Sequence, residues 1–157
     1  MKIITKQYKI YSELNKKIVL ISDIHYSNRN DIDNLNTILE KIKSVKPDYI
    51  CIPGDIIDKS KIDDESLFIG WLKKISSISH VIISIGNHEY YIDKHNEVFG
   101  LNKDFYDRLS RINNLYVLDN KNIVFDNINF IGLNLPIDCY FKPNIDKFNS
   151  FFNNISI

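Results

Sequence analysis

The sequence predicts an α/β fold built around a parallel β-sheet that helices cover. Three short runs of mainly β-branched residues, 17–22, 48–53 and 80–85, are separated by two segments in which apolar residues recur at helical spacing. Each run is apolar at consecutive positions, which is typical of strands buried on both faces. Strands that alternate with helices in this way are joined by right-handed crossovers and form a parallel sheet.

The first half of the chain yields its elements in order. Residues 2–11 alternate loosely and predict a strand at a sheet edge, because lysines interrupt the apolar positions. Two helices are predicted over residues 31–45 and 64–77, each with one apolar face. Pro47 marks the end of the first helix, since the residue before a proline is restricted away from helical geometry. The first half is therefore a βαβαβ unit.

The pattern changes after the third strand. Residues 90–100 are polar and aromatic and predict a loop, and residues 101–112 predict a third helix. Short strands over residues 115–118, 122–125 and 128–134 are separated by turn residues, which indicates an antiparallel meander. A further helix is predicted over residues 144–154.

The composition is that of one soluble globular domain spanning residues 1–157. The chain is 44% hydrophobic and 25% charged, and its 20 basic residues balance its 20 acidic residues. This balance argues against general nucleic-acid binding, although it does not exclude a phosphorylated substrate. The chain has two cysteines, no secretory signal and no membrane-span pattern, and we therefore expect a cytoplasmic protein.

Three polar motifs begin where the three predicted strands end. They are Asp23-Ile24-His25, Gly54-Asp55-Ile56-Ile57-Asp58 and Gly86-Asn87-His88-Glu89. The carboxyl ends of parallel strands meet at one edge of a sheet, and this is where ligands bind in open α/β folds. Carboxylate, imidazole and amide donors together suit a divalent metal such as manganese, iron or zinc. The sequence therefore predicts a metal-dependent phosphoesterase.

The chemistry of each side chain suggests a role. Asp23 and His25 are two residues apart in a segment expected to be extended, so their side chains can bind one ion from the same face. Asp55 has two carboxylate oxygens and can bridge two metals. His88 can donate a proton to a leaving group, and a carboxylate such as Asp58 beside it would fix its tautomer.

Each motif alone has an ordinary structural explanation. An isolated Asp-x-His is mostly a solvated loop pair, and either glycine-containing motif can be a simple turn. Their occurrence in this order, each at a strand end, favours chemistry. Two other histidines have weaker cases: His80 begins a strand at the opposite end of the sheet, and His95 lies in the predicted loop. His95 is a candidate substitute ligand, with a surface role as the default.

Together the three motifs resemble the calcineurin-like metallophosphoesterases over about residues 18–134. The resemblance implies an α/β/β/α sandwich and hydrolysis of a phosphomonoester, phosphodiester or pyrophosphate by a metal-activated water at a dinuclear site. By this resemblance the first metal would be held by Asp23, His25 and Asp55. Asp55 would bridge to a second metal held partly by Asn87. His88 would assist the leaving group, oriented by Asp58.

The sequence also departs from the family pattern. The family continues with a lone histidine and a Gly-His-x-His motif, but no histidine follows His95 here. The second metal site is therefore poorly supported. We expect a truncated domain, incomplete at its C-terminus, whose unpaired sheet edge favours self-association. The alternative is a catalytically incomplete scaffold that binds a metal or phosphorylated ligand without turnover. A nucleic-acid-cutting module is disfavoured by the balanced charge.

Overall fold

The computed structural model of the chain describes residues 3–27, 31–58, 65–89, 105–135, 139 and 145–154. The strands and helices within these ranges follow closely the order expected from the sequence. They are β1 (Ile18–Leu20), α1 (Ile32–Val45), β2 (Tyr49–Ile52), α2 (Glu65–Ser76), β3 (His80–Ser84), α3 (Phe105–Ser110), β4 (Leu115–Leu118), β5 (Lys121–Phe125), β6 (Ile128–Gly132) and α4 (Ile145–Asn154).

The four-stranded sheet is parallel throughout and has the strand order β1-β2-β3-β4. Its register aligns Ile18 with Tyr49 and Tyr49 with His80, so the three strands begin level with one another. Because β1, β2 and β3 run in the same direction, their carboxyl ends also lie side by side, along the carboxyl edge of the sheet. The predicted α/β class and βαβαβ half are confirmed.

One face of the sheet carries the helices and the larger hydrophobic core. The side chains of β2 and β3 that point to this face, such as Ile50 and Val81, pack in one cluster with the apolar stripes of α1, α2 and α3. Trp71 of α2 is buried in this cluster, and its indole N–H donates to the carbonyl of Leu35 on α1 at 2.8 Å. This bond satisfies a polar atom that burial would otherwise leave without water.

The other face of the sheet is covered in part by a β5–β6 hairpin. Asp126 and Asn127 form its two-residue turn, and both have positive φ (48° and 63°), as a type I′ turn requires. Phe130 packs with Tyr49 in a second core cluster. The Tyr49 hydroxyl donates to Asp126 at 2.7 Å, and Lys16 forms an ion pair with the same carboxylate.

Two predicted strands differ from the structure. Leu115–Leu118 is not part of a meander but pairs in parallel with β3. The crossover that contains α3 returns the chain to the end of the sheet where β3 begins, so β4 runs in the same direction as β3. The antiparallel unit is the β5–β6 hairpin alone. The edge strand predicted over residues 2–11 is also wrong. Residues 3–17 contain no strand, and β1, the edge strand of the described sheet, pairs only with β2. The predicted loop over residues 90–100 lies outside the described residues.

The outer edge of the sheet is apolar. Leu20 of β1 is 70% exposed, and Ile18 beside it is also exposed. The predicted self-association through an unpaired sheet edge stays a prediction. Among the described helices, none combines the length and the hydropathy that crossing a membrane requires.

The hairpin anchor predicts a dependence of stability on pH. Hydrogen bonds from Lys16 and Tyr49 lower the pKa of the exposed Asp126 carboxyl. Ionised Asp126 therefore stabilises the fold above the ordinary aspartate pKa of about 4, and this contribution is lost as the pH falls through the lowered pKa. We expect Asp126→Asn to lower the urea unfolding midpoint at neutral pH, and the difference from the wild type to shrink in acid. A difference that is unchanged at low pH would contradict this anchor.

Candidate metal centre

The three motifs meet at the carboxyl edge of the parallel sheet. The first motif follows β1, the second follows β2 and the third follows β3. One potential ligand atom from each of Asp23, His25 and Asp55 lies within 4.8 Å of the others. Asp23 Oδ1 and His25 Nε2 are 3.6 Å apart. The structure thus brings together the side chains that the sequence assigned to the first metal.

The sequence predicts an extended backbone at Asp23 and His25, and this prediction is wrong. Asp23, His25 and Asp55 have φ values of 54°, 46° and 52°, in the left-handed region. Non-glycine residues adopt this region uncommonly, although aspartate and histidine do so more often than most. Such conformations cost on the order of 1–3 kcal/mol each and are typical of functional sites. A curled chain, rather than a strand, directs Asp23 and His25 toward the same point.

Backbone hydrogen bonds connect the first and second motifs beyond the ends of their strands. The His25 N–H donates to the Asp55 carbonyl at 3.0 Å, and the Tyr26 N–H donates to the Ile56 carbonyl at 3.0 Å. The Asp58 N–H returns a bond to the Tyr26 carbonyl at 2.9 Å. Tyr26 is buried, and its ring stacks on Phe68 of α2 with the ring centroids 4.9 Å apart. The core therefore fixes the position of the loop that carries His25.

His88 and Asp58 form a pair next to the three ligands. His88 Nδ1 lies 3.7 Å from Asp58 Oδ1, and the backbone N–H of His88 donates to Asp55 Oδ1 at 3.1 Å. The His25 and His88 rings meet edge to face, with centroids 4.3 Å apart. The side chain of His88 is 17% exposed and that of Asp58 is 40% exposed, so both can be reached from solvent. The two side chains are neighbours, and the orientation of His88 by Asp58 stays a prediction.

Asn87 is half-buried and begins a helical segment, of which residues 87–89 are described. Its neighbours on both sides, Gly86 and His88, lie close to Asp55. The role of the Asn87 amide as a ligand stays a prediction.

Glu89 is the residue that sequence reasoning missed. Its buried carboxylate accepts hydrogen bonds from four backbone N–H groups. Oε2 binds the amides of Asp55 and Gly86, at 2.7 and 2.8 Å. Oε1 binds those of Ile56 and Ile57, at 2.5 and 3.3 Å. Each oxygen accepts two bonds, so the carboxylate has no lone pair left for a metal. Glu89 is a positioning residue that ties the third motif to the second.

The pKa of the Glu89 carboxyl is raised above its ordinary value, although opposing effects act on it. Burial raises the pKa of the Glu89 carboxyl, and the nearby charge of Asp55 also raises it, whereas the backbone amides of Asp55, Gly86 and Ile56 lower it. Successive N–H groups that point into one concave turn form a typical site for an anion. The second motif supplies three such groups. A sequence signal existed, namely an acidic residue three positions after a glycine in a turn, but it resembles a helix start equally well.

Two glycines let the second and third motifs pack backbone against backbone. Gly54 has a φ of 88°, and a methyl group on it would lie 2.5 Å from the Gly86 nitrogen. A methyl group on Gly86 would lie 2.6 Å from the Asp55 nitrogen and 2.8 Å from Glu89 Oε2. Real side chains do not approach this closely, so each position requires glycine.

The remaining candidates have other roles or lie elsewhere. His80 stacks on Phe125 with centroids 4.6 Å apart, at the opposite end of the sheet, as expected. His95 lies outside the described residues. Cys51 and Cys139 are both free thiols, and burial raises the pKa of Cys51 to about 11, which makes its thiolate scarce at neutral pH.

Comparison with known proteins gives the same answer as the geometry. The sequence profile described as calcineurin-like phosphoesterase matches residues 16–155. This chain belongs to the calcineurin-like phosphoesterase family. The expected resemblance is therefore confirmed, and the parallel sheet with a separate antiparallel pair is consistent with the family's fold.

Individual relatives of this calcineurin-like phosphoesterase are all longer proteins. An uncharacterized metallophosphoesterase of Campylobacter jejuni is 31% identical over 74% of this chain and 29% of its own length. Another, from Helicobacter pylori, is 30% identical over 90% of this chain and 37% of its own length. UDP-2,3-diacylglucosamine pyrophosphatase LpxG of Chlamydia muridarum is 28% identical over 47% of this chain and 22% of its own length. The chain thus spans less than two fifths of each of these relatives.

The buried carboxylate of Glu89 predicts a large effect for an isosteric change. Glu89→Gln replaces one acceptor oxygen by an NH₂ group that must face backbone donors. We expect the free energy of unfolding to fall by about 2–4 kcal/mol, because buried amides lose their acceptor. Urea denaturation followed by circular dichroism measures the change. Glu40→Gln, an exposed change on α1, is the matched control; equal effects of the two substitutions would exclude the proposed role of Glu89.

Substitution of glycine by alanine is predicted to have opposite effects on stability at Gly86, which is in close contact with the second motif, and at Gly70, which is not. Gly86→Ala should displace Asp55 and lower stability by more than about 1 kcal/mol, through overpacking. Gly70→Ala places the same methyl group on the middle of α2, where nothing lies within 4 Å. It should stabilise the protein by about 0.5–1 kcal/mol, since alanine favours helices over glycine. Thermal unfolding of both variants tests this, and a Gly86→Ala variant as stable as the wild type would show that the two loops are not in close contact.

Proposed function

We propose that this protein hydrolyses a phosphoric ester with the help of two divalent metal ions. One observation carries the proposal: Asp23, His25 and Asp55 converge within 4.8 Å at the carboxyl edge of the sheet, directly beside His88. Family membership supports the same class of chemistry.

The donors fit a divalent metal. Two carboxylates and one imidazole suit manganese, iron or zinc. Asp23, His25 and Asp55 would hold the first ion, and Asp55 with Asn87 would contribute to the second. Bound metals would polarise the phosphoryl group and make a water molecule a better nucleophile at neutral pH. The partly exposed position of Asp23 and His25 leaves room for a substrate phosphate.

His88 is proposed to act on the leaving group. As water adds to phosphorus and the ester P–O bond breaks, the departing oxygen takes the bonding electron pair and needs a proton or a hydrogen-bond donor. An imidazole can supply the proton. Asp58, 3.7 Å from His88 Nδ1, would hold the ring in the orientation in which Nε2 faces the reacting group.

The substrate class is proposed only broadly. A phosphomonoester, a phosphodiester or a pyrophosphate would each fit, and the relative LpxG is named as a pyrophosphatase. The equal numbers of acidic and basic residues disfavour nucleic acid as a general partner. A cytoplasmic location stays a prediction.

A scaffold without turnover is the second candidate. The observation that favours it is that Asp23, His25 and Asp55 supply ligands for one ion, whereas a second ion would share Asp55 and depend on the Asn87 amide. Such a scaffold would bind a metal at Asp23, His25 and Asp55 without hydrolysing an ester.

A hydrolysis assay with manganese separates the two candidates. We expect the protein to hydrolyse bis-p-nitrophenyl phosphate or p-nitrophenyl phosphate, and Asp55→Asn to lower kcat/KM by about 10²–10³-fold, because it weakens the binding of both metals. Asparagine tolerates the left-handed φ of 52° at this position, so the variant should stay folded. Asp107→Asn, an exposed change on α3, should keep full activity.

The outcomes of this assay are distinct. Hydrolysis that survives Asp55→Asn would contradict the assigned site. Manganese binding without hydrolysis of either ester by the wild type would favour the scaffold.

A further inference from the structure

The structure contains a second group of three possible metal ligands, which overlaps the first. One ligand atom from each of His25, Asp58 and His88 lies within 4.8 Å of the others, as in the group formed by Asp23, His25 and Asp55. His25 belongs to both groups. The roles predicted for Asp58 and His88 concern the leaving group and not metal binding, so this second group is a finding of the structure.

The shared histidine makes the two groups alternatives. A neutral imidazole has one protonated nitrogen and one nitrogen with a lone pair, so it binds a single metal ion. The His25 ring lies between the two groups: its Nε2 is 3.6 Å from Asp23 Oδ1, and its centroid is 4.3 Å from that of His88. An ion that takes His25 into one group therefore removes it from the other.

The two groups differ in their donor atoms. The first group offers two carboxylates and one imidazole. It can hold manganese, iron or zinc, and its larger share of oxygen donors suits hard ions such as Mn²⁺ better than the second group does. The second offers two imidazoles and one carboxylate, the same donor set as in zinc sites of the His₂Glu type. Nitrogen-rich sites bind Zn²⁺ more tightly than Mn²⁺. All five side chains of the two groups are at least partly exposed, so ions can enter either group from solvent.

We propose that His25, Asp58 and His88 form a zinc-selective site whose occupation excludes metal from the Asp23–His25–Asp55 site. Zinc bound there engages both Asp58 and His88, so Asp58 no longer orients His88 toward a substrate. The site is thus inhibitory, and this consequence rests on the proposed function. The binding itself does not, because it requires only the two overlapping groups of ligands.

Metal binding by single variants tests the proposal without an activity assay. Zn²⁺ affinity is measured by competition with a chromogenic chelator, and Mn²⁺ affinity by the electron paramagnetic resonance signal of the free ion. We expect His88→Asn to lower the affinity for the first equivalent of Zn²⁺ by about tenfold or more and that for Mn²⁺ by less than about threefold. Asp23→Asn should do the reverse. His25→Asn should weaken both.

A matched histidine provides the control. His80→Asn lies at the opposite end of the sheet and should leave both affinities unchanged, which excludes general binding of zinc to histidines. One equivalent of Zn²⁺ should also displace Mn²⁺ from the wild-type protein and return the signal of the free ion. Circular dichroism confirms that each variant is folded.

Two results would overturn the proposal. One is a Zn²⁺ affinity that Asp23→Asn weakens but His88→Asn does not, which would place zinc in the first group. The other is retention of Mn²⁺ when Zn²⁺ binds, which would show that the sites are independent. Either result leaves the hydrolysis assay with manganese alone unaffected, so the failure of this proposal and that of the proposed function can be told apart.

Discussion

The carboxylate of Glu89 is the interaction on which the geometry of the site depends. Beyond the ends of parallel strands the backbone amides have no strand partner. The loops that follow β2 and β3 would therefore each bury N–H groups without an acceptor. One buried acid satisfies four of these groups across two loops. Because a buried donor without an acceptor costs about 1–3 kcal/mol, the loops are stable in this arrangement only while the carboxylate is in place. The positions of Asp55 and His88 follow from it.

The unusual backbone of the candidate ligands depends on further contacts of these loops. Left-handed φ values at Asp23, His25 and Asp55 are unfavourable in isolation, and the surrounding hydrogen bonds and the packing of Tyr26 on Phe68 must offset them. A site held in this way needs little rearrangement to bind an ion. The apolar core under α1 and α2 therefore contributes to function indirectly, by fixing a loop that would not adopt this conformation alone.

The elements that depend on local sequence patterns were predicted from the sequence. The apolar runs and helical spacing predicted β1 to β3 and both crossover helices, and the strand ends predicted which side chains would meet. The direction of β4 was not predictable in this way, because only two residues separate Leu118 from Lys121, a length typical of hairpins. Its true partner, β3, is 30 residues away and is reached through α3.

The details of the site depended on contacts between loops. Asp23-Ile24-His25 follows a strand directly, so extended geometry was the natural expectation, whereas bonds from His25 and Tyr26 to the second motif curl the chain. Glu89 accepts bonds from three amides more than 30 residues away, and its local sequence resembles a helix start equally well. The overlap of two ligand groups at His25 likewise appears only when three loops are brought together.

Anomalous X-ray diffraction from crystals grown with Mn²⁺ would show whether loops from separate strands build one metal site. An anomalous peak is expected at about 2.0–2.5 Å from side-chain donors of Asp23, His25 and Asp55. A peak bound by other residues, or full Mn²⁺ occupancy elsewhere with these three side chains apart, would contradict this expectation.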